Sequence, residues 1–252
     1  MATVLIPIPN ADFDPTETAV PWSLLQASGH TLVFSTPDGK RGQADPRMLT
    51  GKGLGVLAPL LTADANGRAA YAAMERSAAF RHPIPYRDAA VSDFDALLLP
   101  GGHAPGMKPY LESELLQAKV ADFFAAGKPV AAICHGVLLA ARSKSAAGKS
   151  VLFGKRTTAL TRRMEMSAWL LTRAWLGDYY RTYPKPVETE VGEALARPQD
   201  FIRGPTSIAR DSPDNLDPGF TVLDGNYLSA RWPGDAHRFA TELARLLDMA
   251  TY

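Results

Sequence analysis

Apolar runs alternate with helical patterns over the first 142 residues, and this alternation limits the fold more than any other feature of the sequence. The four runs are Val4–Ile8, Thr31–Ser35, DALLLPGG at residues 95–102 and PVAAICHG at residues 129–136. A run of this length is typical of a strand that is buried on both faces of a sheet. Strands that alternate with helices form βαβ units, so we predict an α/β fold with a mainly parallel sheet and helices on both faces.

The second half of the chain is less regular but carries further elements. Three segments suggest strands: RTTALT at 156–161, VETEV at 187–191, and GFTVLDGNYLSAR at 219–231, which holds a Gly-Asn turn signal. Two segments suggest helices: MEMSAWLLTRAWLGDYY at 164–180 and GDAHRFATELARLLDM at 234–249. No repeat, low-complexity tract or linker divides the chain, so we predict one domain over residues 1–252, with irregular insertions near residues 40–66 and 176–218.

The charge balance and the single cysteine argue against several classes of protein. With 27 basic and 26 acidic residues the net charge is +1, so no strong field attracts nucleic acid or an anionic membrane. One cysteine cannot form an internal disulfide, and the N-terminal apolar run, broken by Pro7 and Pro9, is a poor signal peptide. No stretch of about 18 apolar residues occurs in the sequence. We therefore expect a cytoplasmic protein that binds neither nucleic acid nor membranes.

The sequence patterns do not suggest a cofactor either. The spacing of His30, His82 and His237 is not that of metal ligands, and one cysteine cannot build a cysteine-based zinc cluster. No glycine-rich phosphate fingerprint of the dinucleotide or P-loop type occurs. The sequence therefore predicts a site without a metal or a nucleotide cofactor.

The segment KPVAAICHGVLLAAR, residues 128–142, places Cys134 between a strand and a helix. A side chain on such a turn projects from the carboxyl edge of the sheet, where ligands of open α/β sheets bind. The helix N-terminus adds positive potential that favours a thiolate, and Gly136 lets the neighbouring backbone approach closely. A lone cysteine is more often a small buried apolar residue. The strand–Cys–His–Gly–helix setting nevertheless favours a reactive nucleophile.

The glycine turn that ends DALLLPGG is expected at the same edge of the sheet as Cys134. The backbone N–H of Gly101 or Gly102 then points at a developing oxyanion, and the amide of His135 is a second donor. A plain turn at the end of a strand explains Pro-Gly-Gly equally well. The turn becomes informative only in combination with ICHG.

The segment LLLPGGH, followed about thirty residues later by AAICHG, resembles the DJ-1/PfpI superfamily, which is related to class I glutamine amidotransferases. The forms GGH at 101–103 and CHG at 134–136 look most like its Hsp31-type branch. The likeness extends to the N-terminus through DPTE at 14–17 and LVFSTPDG at 32–39. It covers about residues 2–145 and continues more loosely to the C-terminus.

The resemblance implies a flavodoxin-like, doubly wound fold, usually a homodimer, and a cofactor-free site. It implies that Cys134 is the nucleophile, that His135 is the acid/base residue, and that Glu17 reaches the cysteine. A protonated Glu17 would hydrogen-bond the thiolate, and an ionised one would shuttle a proton. Because like charges resist sharing a site, a carboxylate beside a thiolate raises the pKa of one of the two groups.

The same resemblance implies an acid that orients His135. The segment TTALTRRMEMSAW corresponds loosely to the family region that supplies it, which makes Glu165 the candidate, with Glu188 or Glu190 as alternatives. A solvated helix carboxylate is the other explanation of Glu165. His103 either lines the pocket or lies in a surface loop, and Arg231 is expected near the site edge.

Three functions fit these residues. The leading hypothesis is an enzyme that acts on a small carbonyl compound, either glyoxalase III-like (methylglyoxal to lactate) or deglycase-like. The second is an amidase or peptidase that forms an acyl intermediate and needs a fully oriented triad. The third is a redox sensor or holding chaperone with an oxidisable Cys134 and, for a chaperone, an exposed apolar patch.

Overall fold

The computed structural model describes residues 1–250 and has a seven-stranded sheet at its centre. The strands lie side by side in the order β5 (Ile84–Pro85), β3 (Thr31–Thr36), β1 (Thr3–Pro7), β6 (Ala96–Leu99), β7 (Val130–Ile133), β9 (Tyr227–Ala230) and β8 (Thr221–Asp224). All neighbours pair in parallel except β8 and β9, which form a hairpin. The predicted mainly parallel α/β sheet is confirmed.

The helices divide into two groups that flank the sheet. The α-helices within the described residues are α1 (Pro15–Ala27), α2 (Pro46–Thr50), α3 (Ala58–Leu61), α4 (Ala65–Arg76), α5 (Ala78–Arg81), α6 (Lys108–Leu111), α7 (Glu114–Ala125), α8 (His135–Arg142), α9 (Arg162–Leu176), α10 (Val187–Ala194) and α11 (Ala236–Ala250). Helix α1 packs against α4 and α11, whereas α8 packs against α6, α7 and α10.

The strand register brings several turns to one edge of the sheet. Strand β6 pairs with β7 from Leu97↔Val130 onward, and β7 pairs with β9 up to Ile133↔Ala230. Because all three strands run the same way, their carboxyl ends lie together. The glycine turn, Cys134 and Arg231 therefore meet at this edge.

The two predicted insertions contain regular elements. Residues 40–66 hold strand β4 (Gln43–Ala44) with α2 and α3, and β4 pairs with β2 (Ala11–Phe13) in a small second sheet. Residues 176–218 hold α10. A small apolar cluster of Met48, Leu54 and Tyr180 links the two insertions and is separate from the main core.

Two strand predictions are wrong. VETEV forms the first part of helix α10, in which Val187 and Val191 are buried one turn apart. Its apolar–polar alternation also fits a helical spacing of i and i+4, and packing against α8 decides for the helix. RTTALT makes only an isolated bridge, Thr157 to Phe201.

None of the helices in residues 1–250 combines the length and the apolar character that crossing a membrane requires.

Candidate active site

Cys134 lies between β7 and α8 in a bent backbone conformation. Its φ of +56° lies in the left-handed region, where a residue with a side chain incurs a strain of roughly 1–3 kcal/mol. Hydrogen bonds hold the bend: the Cys134 N–H donates to Ala230 O at 3.1 Å, and the Val137 N–H donates to Cys134 O at 3.2 Å. The side chain is 5% exposed and lines a cavity at the sheet edge.

Gly136 brings the start of α8 into backbone contact with the end of β6. A Cβ atom at Gly136 would lie 2.1 Å from the carbonyl oxygen of Leu99 and 2.9 Å from that of Pro100. No side chain fits in that space, so Gly136 serves the packing behind Cys134 rather than the cavity wall.

Helix α1 carries Glu17 to the cysteine. Glu17 is buried, and its Oε2 accepts a hydrogen bond from the Gly101 N–H at 3.0 Å. Its Oε1 has no hydrogen-bond partner among the described residues, and the carboxyl lies close enough to Cys134 for the two groups to influence each other's pKa. Asp14 fixes the start of this helix, because its Oδ1 accepts from the N–H groups of Thr16 and Glu17.

Burial governs the protonation of this carboxyl and thiol pair. Desolvation, followed by the charge of nearby Asp14, raises the pKa of Glu17 well above its usual value. Desolvation also raises the pKa of the Cys134 thiol, and negative charge on Glu17, when it is ionised, and on Asp14 raises it further. The sequence predicts a lowered thiol pKa from the helix N-terminus, and the structure corrects this because loss of hydration outweighs the one backbone N–H, that of His135, which stabilises the thiolate.

His135 faces Cys134 with one ring nitrogen and a threonine with the other. Its Nδ1 lies 3.5 Å from Cys134 Sγ, and its Nε2 lies 3.0 Å from the hydroxyl of Thr182. Desolvation, with His103 and Arg142 nearby, lowers the pKa of His135 to about 3, so the ring is neutral at neutral pH.

The Thr182 hydroxyl fixes the tautomer of that neutral ring. Its single proton is donated to the carbonyl oxygen of His103. Towards His135 the hydroxyl oxygen must therefore accept, so Nε2 carries the ring proton. Nδ1 is then the nitrogen with the free lone pair, directed at the Cys134 sulfur. The free nitrogen thus faces the thiol, while the lowered pKa of the ring and the raised pKa of the thiol keep the proton on sulfur in the resting site.

The predicted orienting acid is wrong, because the structure places no carboxylate on His135 within residues 1–250. Glu165 accepts from the Val187 N–H at 2.9 Å. Glu188 pairs with Arg203 at 2.7 Å, and Glu190 pairs with Arg142 at 2.7 Å. Glu165 is buried rather than solvated, and it lines the cavity; desolvation raises its pKa to about 7.

His103 lines the same cavity and is held by two tyrosines. Its ring stacks on Tyr180 with centroids 4.3 Å apart and meets the edge of Tyr179 at 4.9 Å. Burial lowers its pKa to about 4, so this imidazole is also neutral. Of the two explanations offered by the sequence, the pocket wall is the one that the structure favours.

The predicted oxyanion donors are placed unequally. The Gly101 N–H is occupied by Glu17, and the His135 N–H is directed at the Cys134 sulfur. The Gly102 backbone lines the cavity with φ of +148°. Of the three predicted donors, Gly102 is therefore the one for which the structure shows no hydrogen bond within the described residues.

The cavity has a volume of about 810 Å³. Its outer wall consists of three segments, residues 46–62, 160–171 and 203–210, and we use this name for them below. Two arginines hold the third segment in place. The guanidinium of Arg231, which is buried and paired with Asp235, donates to Pro205 O. The guanidinium of Arg210 donates to Leu60 O and Thr62 O in the first segment.

Sequence reasoning missed Thr182, Arg210 and Trp232. Thr182 lies in the irregular stretch YYRTYPKP, where no periodic pattern marks it. Arg210 stacks over the ring of Trp232 at 5.2 Å, and both line the cavity. Within the described part of the chain, no group of three or more His, Cys, Asp or Glu side chains is arranged to hold a metal ion.

A family model described as ThiJ/PfpI family-like matches residues 8–199, which include Glu17, Cys134, His135 and Thr182. Among curated proteins, a deglycase of Pyrococcus abyssi is 27% identical over 166 residues, which cover 65% of this chain and 69% of the relative.

Two solved structures share the fold over nearly the whole chain. The 24 kDa rapid encystment protein of Francisella tularensis superposes with a TM-score of 0.69 at 18% identity, covering 98% of this chain and 99% of that one. Glyoxalase III from Candida albicans superposes with a TM-score of 0.64 at 19% identity, covering 97% and 96%. At such identities the two structures show the common fold.

Proposed function

Because this chain belongs to the ThiJ/PfpI family, within the DJ-1/PfpI superfamily, we propose that it is a cofactor-free enzyme in which Cys134 attacks a small carbonyl compound. The reaction is glyoxalase III-like: an α-oxoaldehyde and water give an α-hydroxy acid. One observation carries the proposal above all: a neutral His135 presents Nδ1 to Cys134 Sγ at 3.5 Å, in a tautomer that Thr182 sets. The names of the deglycase and glyoxalase III relatives agree with carbonyl chemistry.

In the first step His135 Nδ1 takes the thiol proton while the sulfur bonds to the aldehyde carbon. The carbonyl oxygen takes the proton back, which gives a hemithioacetal, and the Gly102 N–H stabilises the negative oxygen on the way. Glu17 stays protonated beside the sulfur because of its raised pKa, so it adds no negative charge there.

In the second step the neutral His135 removes the proton from the former aldehyde carbon, and the hydroxyl proton of the hemithioacetal moves to the neighbouring ketone oxygen. The imidazole then returns its proton to the adjacent carbon. The hemithioacetal becomes a thioester of the α-hydroxy acid, with no net oxidation. Water then adds to the thioester, and the carbon–sulfur bond breaks. The acid leaves, and Cys134 regains its proton.

The amidase or peptidase alternative fits this geometry less well. A cysteine hydrolase of the Cys–His–carboxylate type keeps a thiolate and an imidazolium, and an acid stabilises that imidazolium. Here the third group is a neutral hydroxyl, and burial lowers the pKa of His135 to about 3. An imidazolium is therefore costly in the resting site. Attack on an aldehyde needs the imidazolium form of His135 only briefly, while the proton passes from sulfur to oxygen.

A redox sensor also fits poorly, because oxidants react with exposed thiolates and Cys134 is a buried thiol.

A role as a holding chaperone has one observation in its favour: α9 exposes the apolar side chains of Leu170, Leu171 and Trp175. The same surface makes a homodimer our proposal for the assembly. The holding role is tested by whether the Cys134→Ser protein suppresses the aggregation of a denatured client protein. The homodimer is tested by the molar mass of the wild type from light scattering.

The decisive experiment measures lactate formation from methylglyoxal without glutathione, for the wild type, Cys134→Ser and Glu17→Gln. We expect a loss of at least about 10³-fold for Cys134→Ser. Glu17→Gln keeps an uncharged side chain beside the sulfur, so its loss should be about 10-fold or less. In D₂O the wild type should yield lactate with deuterium on the second carbon in part of the product, because His135 exchanges its proton. Full turnover by Cys134→Ser would end the proposal.

A further inference from the structure

The cavity at Cys134 is larger and more apolar than a three-carbon substrate requires. Its volume is about 810 Å³, and sites of roughly 300–1,000 Å³ hold drug-sized ligands. The reactive groups Glu17, His103 and Cys134 occupy one part of the lining. Apolar side chains form much of the remainder, among them Met48, Met164, Leu171, Ile208 and Trp232.

The apolar lining is formed by residues from several elements of the fold. The start of α9 lines the cavity with consecutive residues 162–168, followed by Leu171. Within this set Met164, Ala168 and Leu171 lie at i, i+4 and i+7 and so form an apolar stripe. Trp232 lies at the end of β9, covered by the Arg210 guanidinium. Met48 is buried in the cluster that joins the two insertions. Segments far apart in the chain thus contribute to one apolar wall.

Methylglyoxal would contact Cys134 and leave most of this wall in water. We propose, building on the function proposed above, that the preferred substrates are α-oxoaldehydes with an aromatic or branched apolar body. The aldehyde carbon bonds to Cys134, and the apolar body lies against α9 and Trp232. For phenylglyoxal the balanced reaction is phenylglyoxal plus water to mandelate, by the same proton shift within the substrate.

The first test uses the acids that the two reactions would form, since their binding requires no turnover. Lactate and mandelate differ by a methyl and a phenyl group on the same carbon. Calorimetry on the wild type should give mandelate an affinity at least about 10-fold higher than that of lactate. Equal affinities would overturn the proposal.

The second test compares kcat/KM for phenylglyoxal and methylglyoxal, and we expect a ratio of at least about 10 in favour of phenylglyoxal. A ratio near or below one, with robust turnover of methylglyoxal, would overturn this inference and leave the proposed function intact. No turnover of either compound, combined with preferred binding of mandelate, would instead reject the proposed function and support the apolar site.

Helix α9 offers a matched pair of variants that localises the effect. Leu171 lines the cavity and is 53% exposed, whereas its neighbour Leu170 is 58% exposed and is not part of the lining. Leu171→Gln should lower the affinity for mandelate about 3- to 10-fold and leave that for lactate unchanged, and Leu170→Gln should change neither. Equal effects of the two variants would count against the assigned wall.

Discussion

The two sides of the cavity are held together in different ways. The catalytic edge, meaning Glu17, Gly101, Cys134 and His135, consists of turns at the ends of adjacent elements, and backbone contacts of the main core fix it. The outer wall joins three distant segments through a small apolar cluster and through the hydrogen bonds from Arg210 to the backbone of Leu60 and Thr62. Changes at the edge should therefore affect folding and chemistry. Changes in the wall should affect which molecule binds.

The largest effect is expected at Gly136, where the edge has no spare room. In Gly136→Ala the new Cβ would meet the Leu99 carbonyl oxygen at 2.1 Å, and a backbone atom cannot move aside as a side chain can. We expect the free energy of unfolding to fall by more than about 3 kcal/mol. Denaturant unfolding followed by circular dichroism measures it.

Gly192 is the matched control for this substitution. It lies inside helix α10, and nothing lies within 4 Å of a Cβ added there. Gly192→Ala should raise the free energy of unfolding by about 0.5–1 kcal/mol, since alanine favours a helix over glycine. Equal stability of Gly136→Ala and Gly192→Ala would contradict the prediction that the edge is packed more closely than the surface of α10.

The next largest effect concerns the Thr182 hydroxyl. Thr182→Val keeps the shape but leaves the His135 Nε2–H and the His103 carbonyl without their partner. Leaving a buried polar group unpaired costs about 1–3 kcal/mol, so kcat should fall about 10- to 100-fold, whereas Thr182→Ser should retain activity. A structural role alone would lower stability without a change in kcat per folded molecule.

The pH profile separates a neutral partner from an acidic one at this position. Burial lowers the pKa of His135 to about 3, so above pH 5 the wild type always has its base in the active, neutral form. In Thr182→Asp the new carboxylate should raise that pKa by at least about 2 units. Activity is then lost as the pH falls through the raised pKa. Asp14 and Glu165, with pKa values of about 6 and 7, titrate in both proteins, so the difference between the two profiles is diagnostic.

The sequence predicts the catalytic edge well because its parts are local. A strand, a turn and a helix N-terminus follow each other within residues 128–142, and the glycine turn follows β6 in the same way. Parallel strands then bring both turns together without further information. The position of Glu17 came from the family resemblance, and its depth of burial, which sets its pKa, depends on how α1 packs.

The outer wall and the partner of His135 depend on long-range packing. Thr182 meets His135 across 47 residues of sequence, and Arg210 reaches Leu60 across 150. A threonine or an arginine in an irregular stretch carries no sign of such a contact. VETEV shows the same limit within one element, because its spacing fits a strand and a helix and only packing against α8 decides between them.

The smallest effect is expected at the exposed end of the outer wall. Ile208 is 63% exposed and lines the cavity from the segment that Arg231 and Arg210 hold. Ile208→Ala should change the free energy of unfolding by no more than about 0.5 kcal/mol and raise KM for an apolar substrate about two- to threefold, with kcat unchanged. Steady-state kinetics with phenylglyoxal and denaturant midpoints measure both. A tenfold loss of kcat would mean that the wall also positions the reacting atoms, because Ile208 could then act only through the segment that joins it to the catalytic edge.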